Sequence, residues 1–280
     1  MMTYRLLLKK GAELLRTAGI EDYEFDAFQL LLFTTGLTKD EVFLIFDNAA
    51  SDEQADNFFA CVERRKNYEP LQYIIGQWSF YESDFFVGKG VLIPRPETEE
   101  LVEHCCSYIE KHNVKIVYDL CTGSGCIGLS IAKKFPYVHC YLFDLFDDAL
   151  FYAEKNRNNL SLNNVTIIKK DITTKLSVEL PDADIIVSNP PYIESEEIRF
   201  LQHEVQNEPA SALDGGEDGL AFYRAIDCIW LNKLKKNGMI AVECGENQTV
   251  DIINIFADKC NCKAVYDLYN ADRFVIGLRK

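Results

Sequence analysis

Asp119-Leu120-Cys121-Thr122-Gly123-Ser124-Gly125-Cys126-Ile127-Gly128 follows a run rich in β-branched residues, 114–118, and leads into an apolar pattern over 127–135. Such a run reads as a buried parallel strand, and the pattern after it as a helix. Gly123, Gly125 and Gly128 form G-x-G-x-x-G between the two. Glycines there let the backbone turn tightly and approach a ligand. The helix N-terminus offers N–H groups and partial positive charge to an anion. The next strand, 138–143, ends in Asp144, whose carboxylate can accept both hydroxyls of a ribose. Asp171, after a third strand at 165–169, is a candidate for adenine contact or a surface cap. Asp119, Thr122, Gly123, Gly125, Asp144 and Asp171 are therefore candidate cofactor contacts. The pattern fits a nicotinamide cofactor or S-adenosylmethionine; in the second case the anion is the methionine carboxylate.

Ser188-Asn189-Pro190-Pro191-Tyr192, after the apolar run 183–187, separates these two cofactors. Proline lacks an N–H but keeps its carbonyl, and Pro191 biases Pro190 away from the helical region. The Asn189 side-chain oxygen and the Pro190 carbonyl then project as two fixed acceptors. A planar –NH2 offers two donors, and holding both aims its nitrogen at a methyl group. This suits an adenine amine, a cytosine amine or a carboxamide. A carboxamide is the hardest case, because its lone pair is shared with the carbonyl; the C–N barrier of about 18–20 kcal/mol measures that sharing. Two aimed hydrogen bonds of about 1.5–3 kcal/mol each, if charge-assisted, recover only part of it. Electrostatic preorganisation and alignment must supply the rest. No classical base is required, since the proton becomes acidic once the nitrogen is methylated. Tyr192 can pack over the amide or the sulfonium. Asn189, also a candidate cofactor contact, together with Pro190 and Tyr192 is the catalytic candidate set, and Pro191 joins them as a substrate contact.

Around these stretches the chain divides by texture. Residues 1–72 read as a helical domain: helices at 3–18, from a cap at Asp26 to Gly36, at 39–46, and from Ser51, where Ser51-Asp52-Glu53-Gln54 fits a capping box. Residues 73–96 read as a β-hairpin linker turning at Gly88-Lys89-Gly90. Residues 97–280 continue as alternating strands and helices, with Pro96 in the first turn of the entering helix. A helix is expected over 220–236, a strand over 239–244, a helix over 248–259, and strands at 265–268 and 273–277. The irregular 190–219 reads as a substrate loop.

The chain has 280 residues, 29 basic against 44 acidic, and a formal net charge of -15. That repels a phosphate backbone and favours a basic protein partner. Ten cysteines show no C-x-x-C spacing and only 4 histidines accompany them, so no metal site is expected and the thiols read as small buried hydrophobes in a reducing cytoplasm. No leader peptide or membrane span is expected.

With these stretches the sequence resembles the bacterial peptide-chain release factor glutamine N5-methyltransferases, a class I S-adenosylmethionine-dependent family. The resemblance runs over nearly the whole chain, including residues 70–76, Pro94-Arg95-Pro96-Glu97-Thr98-Glu99, 119–128, 187–193 and the late loop 208–220. It implies a Rossmann-like seven-stranded methyltransferase sheet, its last strand antiparallel, with a small helical domain that docks the release factor. It implies S-adenosylmethionine as cofactor and methylation of the glutamine in the Gly-Gly-Gln loop of class I release factors by a cytoplasmic monomer, with no direct nucleic acid or membrane partner. On motif match, Asn189 and the Pro190 carbonyl hold the amide, Asp144 takes the ribose and the 123–125 turn the methionine part. Arg95 either pairs with a carboxylate or contacts a ligand. Cys121 departs from the family's glycine and is expected to adopt a β-type or other allowed dihedral. The alternatives are an adenine N6 methyltransferase acting on nucleic acid, and a non-catalytic binding module with a residual cofactor site. A nicotinamide oxidoreductase would need an acid/base, for which His203 is the best available residue.

Overall fold

The computed structural model describes residues 2–176 and 179–280, in two compact units: Met1–Gln77 with Gln202–Asn207, and Trp78–Leu201 with Glu208–Lys280.

The first unit is helical, with α1 (Tyr4–Thr17), α2 (Tyr23–Thr35), α3 (Lys39–Leu44), α4 (Asp52–Lys66) and α5 (Leu71–Ile75). Leu7, Leu15, Leu30, Leu31, Phe58 and Val62 form its dry interior. The Ser51 box closes as expected: the Ser51 hydroxyl accepts the Gln54 N–H and the Gln54 side chain accepts the Ser51 N–H. Gly36 ends α2 in the left-handed region at φ 67°. Asp26 does not cap α2. The helix starts a turn earlier, after Asp22, and Asp26 lies buried inside it. Its carboxylate accepts from Arg65 of α4 at 2.6 Å, and Arg65 also pairs with Glu204. A lone buried guanidinium is costly, so an acid on the facing helix serves the core better than a helix end.

The second unit opens on a hairpin, β1 (Gln77–Phe80) and β2 (Ser83–Phe86). Its turn is Tyr81-Glu82, not Gly88-Lys89-Gly90: Tyr81 takes φ 53° and its N–H is held by Glu99 at 2.9 Å. That side-chain acceptor lets a non-glycine residue turn the chain, and Gly90 is left to line the main cavity. The expected hairpin span also begins too early, because Tyr73 to Ile75 belong to α5.

A seven-stranded sheet follows, built from β3 (Ile116–Leu120), β4 (His139–Asp144), β5 (Val165–Lys169), β6 (Ala183–Ser188), β7 (Leu234–Glu243), β8 (Cys260–Tyr266) and β9 (Asp272–Arg279). Its order is β5-β4-β3-β6-β7-β9-β8, and β9 alone runs against its neighbours. Helices α6 (Pro96–Lys111), α7 (Cys126–Lys134), α8 (Asp147–Asn159), α9 (Ala221–Ala225) and α10 (Thr249–Phe256) connect the strands. Each central strand is apolar on both sides. Val117, Leu142, Ile185 and Ala241 pack into one cluster; Tyr118, Phe143, Ile186 and Val242 pack into the other around Trp230. That double burial explains the unbroken apolar runs in the sequence.

The expected helix over 220–236 is broken. After α9 the chain widens into a π-turn at Ile226–Trp230 and tightens into a 3-10 turn at Leu231–Lys233. The wide turn accompanies a buried Trp230, whose indole N–H reaches the Ile172 carbonyl at 2.8 Å. β7 then begins at Leu234 rather than 239. Among the described residues no helix is long and apolar enough to cross a membrane. All ten cysteines are free thiols.

Candidate active site

Strand order reverses between β3 and β6, and open α/β sheets bind ligands at such a point. The register Leu120↔Ser188 sets the two opening sequence stretches side by side. Ser188 tightens the pairing by donating to the Leu120 carbonyl at 2.7 Å. Cys121 and Asn189 are the next residues out, and both line a cavity of about 390 Å³.

The glycine turn is held from below by Asp119. Its Oδ2 accepts from the Thr122 hydroxyl at 2.5 Å and the Gly128 N–H at 2.9 Å. A Cβ on Gly128 would stand 2.9 Å from that oxygen and 2.7 Å from Leu142, so only glycine fits. Gly125, at φ 83°, starts α7 in the left-handed region. Asp119 does not line the cavity. It occupies the helix N-terminus expected to receive an outside anion. Burial raises its carboxyl to about 7, against the Thr122 and Gly128 hydrogen bonds, and its Oδ1 has no partner among the described residues.

Asp144 lines the cavity at the end of β4. Its carboxylate accepts from the Gly123 N–H at 2.9 Å and the Phe146 N–H at 3.1 Å. Burial raises its pKa and these backbone bonds oppose the rise. Thr122, Gly123 and Asp171 are also in the wall. Asp171 additionally caps its own turn by accepting from Thr173.

Cys121 takes the left-handed region, at φ 57°, which is the allowed dihedral other than β-type that the expectation left open. The turn between β3 and the glycines demands that dihedral whichever side chain occupies it, and an unbranched cysteine tolerates it. Val91, Phe146, Ala149 and Ile172, which no motif singled out, add an apolar slot. Their signal in the sequence was only proximity to Gly90, Asp144 and Asp171. The donor set fits S-adenosylmethionine. Asp144 keeps acceptor capacity for hydroxyls beyond its backbone bonds, the apolar slot suits a flat purine, and the volume lies within the usual range for ligand pockets.

Asn189 and Pro191 line the cavity, whereas Pro190 is buried and Tyr192 lies outside the wall. The Tyr192 carbonyl accepts from Gln248 at 2.9 Å, and burial pushes its phenol well above the ordinary range. Asn189 donates through Nδ2 to the Thr98 hydroxyl at 3.2 Å. Arg95 is in the wall and pairs with buried Glu208, whose other oxygen accepts the Ile93 N–H at 3.0 Å, so the carboxylate pairing is realised. His203 is not in the wall; its ring packs against Tyr68, 5.0 Å between centroids. Among the described residues no cluster of three or more His, Cys, Asp or Glu could hold a metal ion.

Sheet order, glycine turn and strand-end acid together define a class I methyltransferase that uses S-adenosylmethionine. The crystal structure of the hMettl16 catalytic domain in complex with a MAT2A 3′UTR hairpin shares this fold, with a TM-score of 0.53 and 14% identity over 82% of this chain and 81% of that one. Residues 7–76 match the PrmC N-terminal domain, and residues 98–219 match the methyltransferase small domain. The release factor glutamine methyltransferase of Clostridium acetobutylicum is 40% identical over 97% of each chain. That of Clostridium botulinum is 37% identical over 100% of each. The chain belongs to the release factor glutamine methyltransferase family.

Proposed function

We propose that this protein transfers the methyl group of S-adenosylmethionine to the side-chain amide nitrogen of the glutamine in the Gly-Gly-Gln loop of class I peptide-chain release factors. The observation that carries the reading is Asn189 in the cavity wall, one residue beyond β6 and beside the glycine turn, in a chain of this family. The bound cofactor supplies an electrophilic methyl on a sulfonium. Asp144 holds its ribose, Thr122, Gly123 and Gly125 shape the bed for its methionine part, and Asp119 keeps that turn in place. Asp171 borders the adenine.

The Asn189 Oδ1 and the Pro190 carbonyl accept the two amide hydrogens of the glutamine. With both taken, the planar amide is held in one orientation and its nitrogen faces the methyl group. The developing positive charge on nitrogen is stabilised by the same two acceptors. The methylated nitrogen then gives its proton to solvent water, with no dedicated base. Pro191 and Tyr192 restrict the backbone that carries the acceptors. The helical unit docks the body of the factor. The protein acts as a monomer in the cytoplasm, where release factors work, with no direct nucleic-acid or membrane partner.

The test is transfer of labelled methyl to a full-length release factor, to a copy with the loop glutamine changed to alanine, and to DNA and RNA. Label on the intact factor alone is expected, and label on nucleic acid would overturn the reading. Asn189→Ala is expected to lower turnover by about 100-fold or more while cofactor still binds. Near-normal turnover would remove Asn189 from its role.

A further inference from the structure

Asn189 is useful only in one of its two amide orientations. With the oxygen towards the substrate it accepts an N–H; turned over, it presents donors to donors. Both orientations fill the same volume, so packing does not choose between them. Its hydrogen-bond partners do.

Nδ2 donates to the Thr98 hydroxyl at 3.2 Å, and the Thr98 hydroxyl donates to Glu243 Oε2 at 2.7 Å. Thr98 comes from α6 and Glu243 from the end of β7; each is only 2% exposed. An ionised carboxylate accepts and cannot donate. Thr98 must therefore spend its one hydrogen on Glu243, and can only accept from Asn189. Turning the amide over would set its oxygen against a hydroxyl oxygen with no hydrogen left to give.

Resting on the proposed amide methylation, we infer that Thr98 and Glu243 are positioning residues that lock the Asn189 carboxamide with its oxygen towards the substrate. Neither needs to touch the reacting atoms. Glu243 sits among Glu97 and Thr98 of α6, Arg273 of β9, Asn189 and Tyr192 beyond β6, Cys126 of α7, Tyr223 of α9, and Cys244 beside it. Burial raises its carboxyl to about 7, with Thr98 and Arg273 opposing. Below that pH the protonated Glu243 donates a hydrogen bond to the Thr98 hydroxyl, Thr98 is free to donate to Asn189, and the lock is released.

The experiment uses the full chain in two arms. In the first, methyl transfer to a release factor is measured for Thr98→Val, Thr98→Ser and Glu243→Gln, alongside cofactor affinity and circular dichroism. Thr98→Val is expected to lose about 100-fold in kcat with cofactor affinity kept. Thr98→Ser, which retains the relay, stays within about 5-fold of wild type. Glu243→Gln loses the fall of kcat on acidification through pH about 7 that wild type shows. In the second arm, the side-chain NH2 of Asn189 is followed by nitrogen-15 spectra, assigned by its loss in Asn189→Ala. It is expected to titrate with Glu243 and to lose that response in Thr98→Val. A folded Thr98→Val enzyme with wild-type kcat, or an Asn189 NH2 indifferent to both changes, would overturn the inference. Wild type that labels no release factor, with the second arm intact, would overturn the proposed substrate and leave the lock standing.

Discussion

Cys121 shows how a backbone position outranks the side chain on it. Its left-handed φ of 57° is set by the turn from β3 into the glycines. An L-residue there costs about 1–2 kcal/mol, and glycine avoids the cost at about 0.5–1 kcal/mol of extra unfolded entropy. Cys121→Gly is therefore expected to be at least as stable as wild type by urea unfolding. Cys121→Val, branched at Cβ, should lose about 1–3 kcal/mol; a stable valine variant would show that the turn can relax. Asp119 carries a pH dependence. Its folded carboxyl lies near about 7, above the ordinary value of 3.8. The native state thus holds a proton that the unfolded chain releases, and this contribution is complete below about 3.8 and lost as pH rises to about 7. Wild type should lose stability over that window relative to Asp119→Asn. Parallel urea midpoints for the two proteins between about pH 4 and about pH 7, across that window, would remove Asp119 as the source.

Elements meet their partners through a few buried polar contacts. In the helical unit Arg65 of α4 is held by Asp26 of α2 at 2.6 Å, both side chains nearly inaccessible. Removing one member of such a pair leaves a buried charge and costs about 3–5 kcal/mol. Glu204 also pairs with Arg65, so Asp26→Ala should fall at the lower end, about 3 kcal/mol. Amide hydrogen exchange read over α2 and α4 checks this, and unchanged protection would show that Glu204 suffices. The capping box at Ser51 and the stop at Gly36 were legible because each is a contact within one turn of chain. Asp26 was misread as a cap for the opposite reason, since its partner is 39 residues away. The hairpin turn was misplaced likewise: Tyr81 is held in its left-handed turn by Glu99, 18 residues on. The break in the helix after Ala225 accompanies Trp230 bonding a carbonyl 58 residues distant.

At the scale of the whole molecule, the net charge of -15 acts on the encounter with a substrate protein. If basic residues of the factor meet this acidic surface, salt weakens the encounter, since the Debye length falls from about 30 Å at about 0.01 M to about 3 Å at about 1 M. KM for the release factor is expected to rise severalfold over that range with kcat little changed; a constant KM would confine the charge to a role in solubility. The sequence by itself determined the class of the sheet, the glycine turn, the acid ending β4 and the asparagine just after β6, because strand periodicity and turn chemistry are local. Tertiary structure alone decided that β3 and β6 are neighbours in register, that Asp119 lies beneath the turn and outside the cavity, and that Thr98 and Glu243 converge on Asn189. Those last three residues are separated by 91 and 145 positions along the chain, and such a convergence follows from how helices pack on a sheet, which no local pattern encodes.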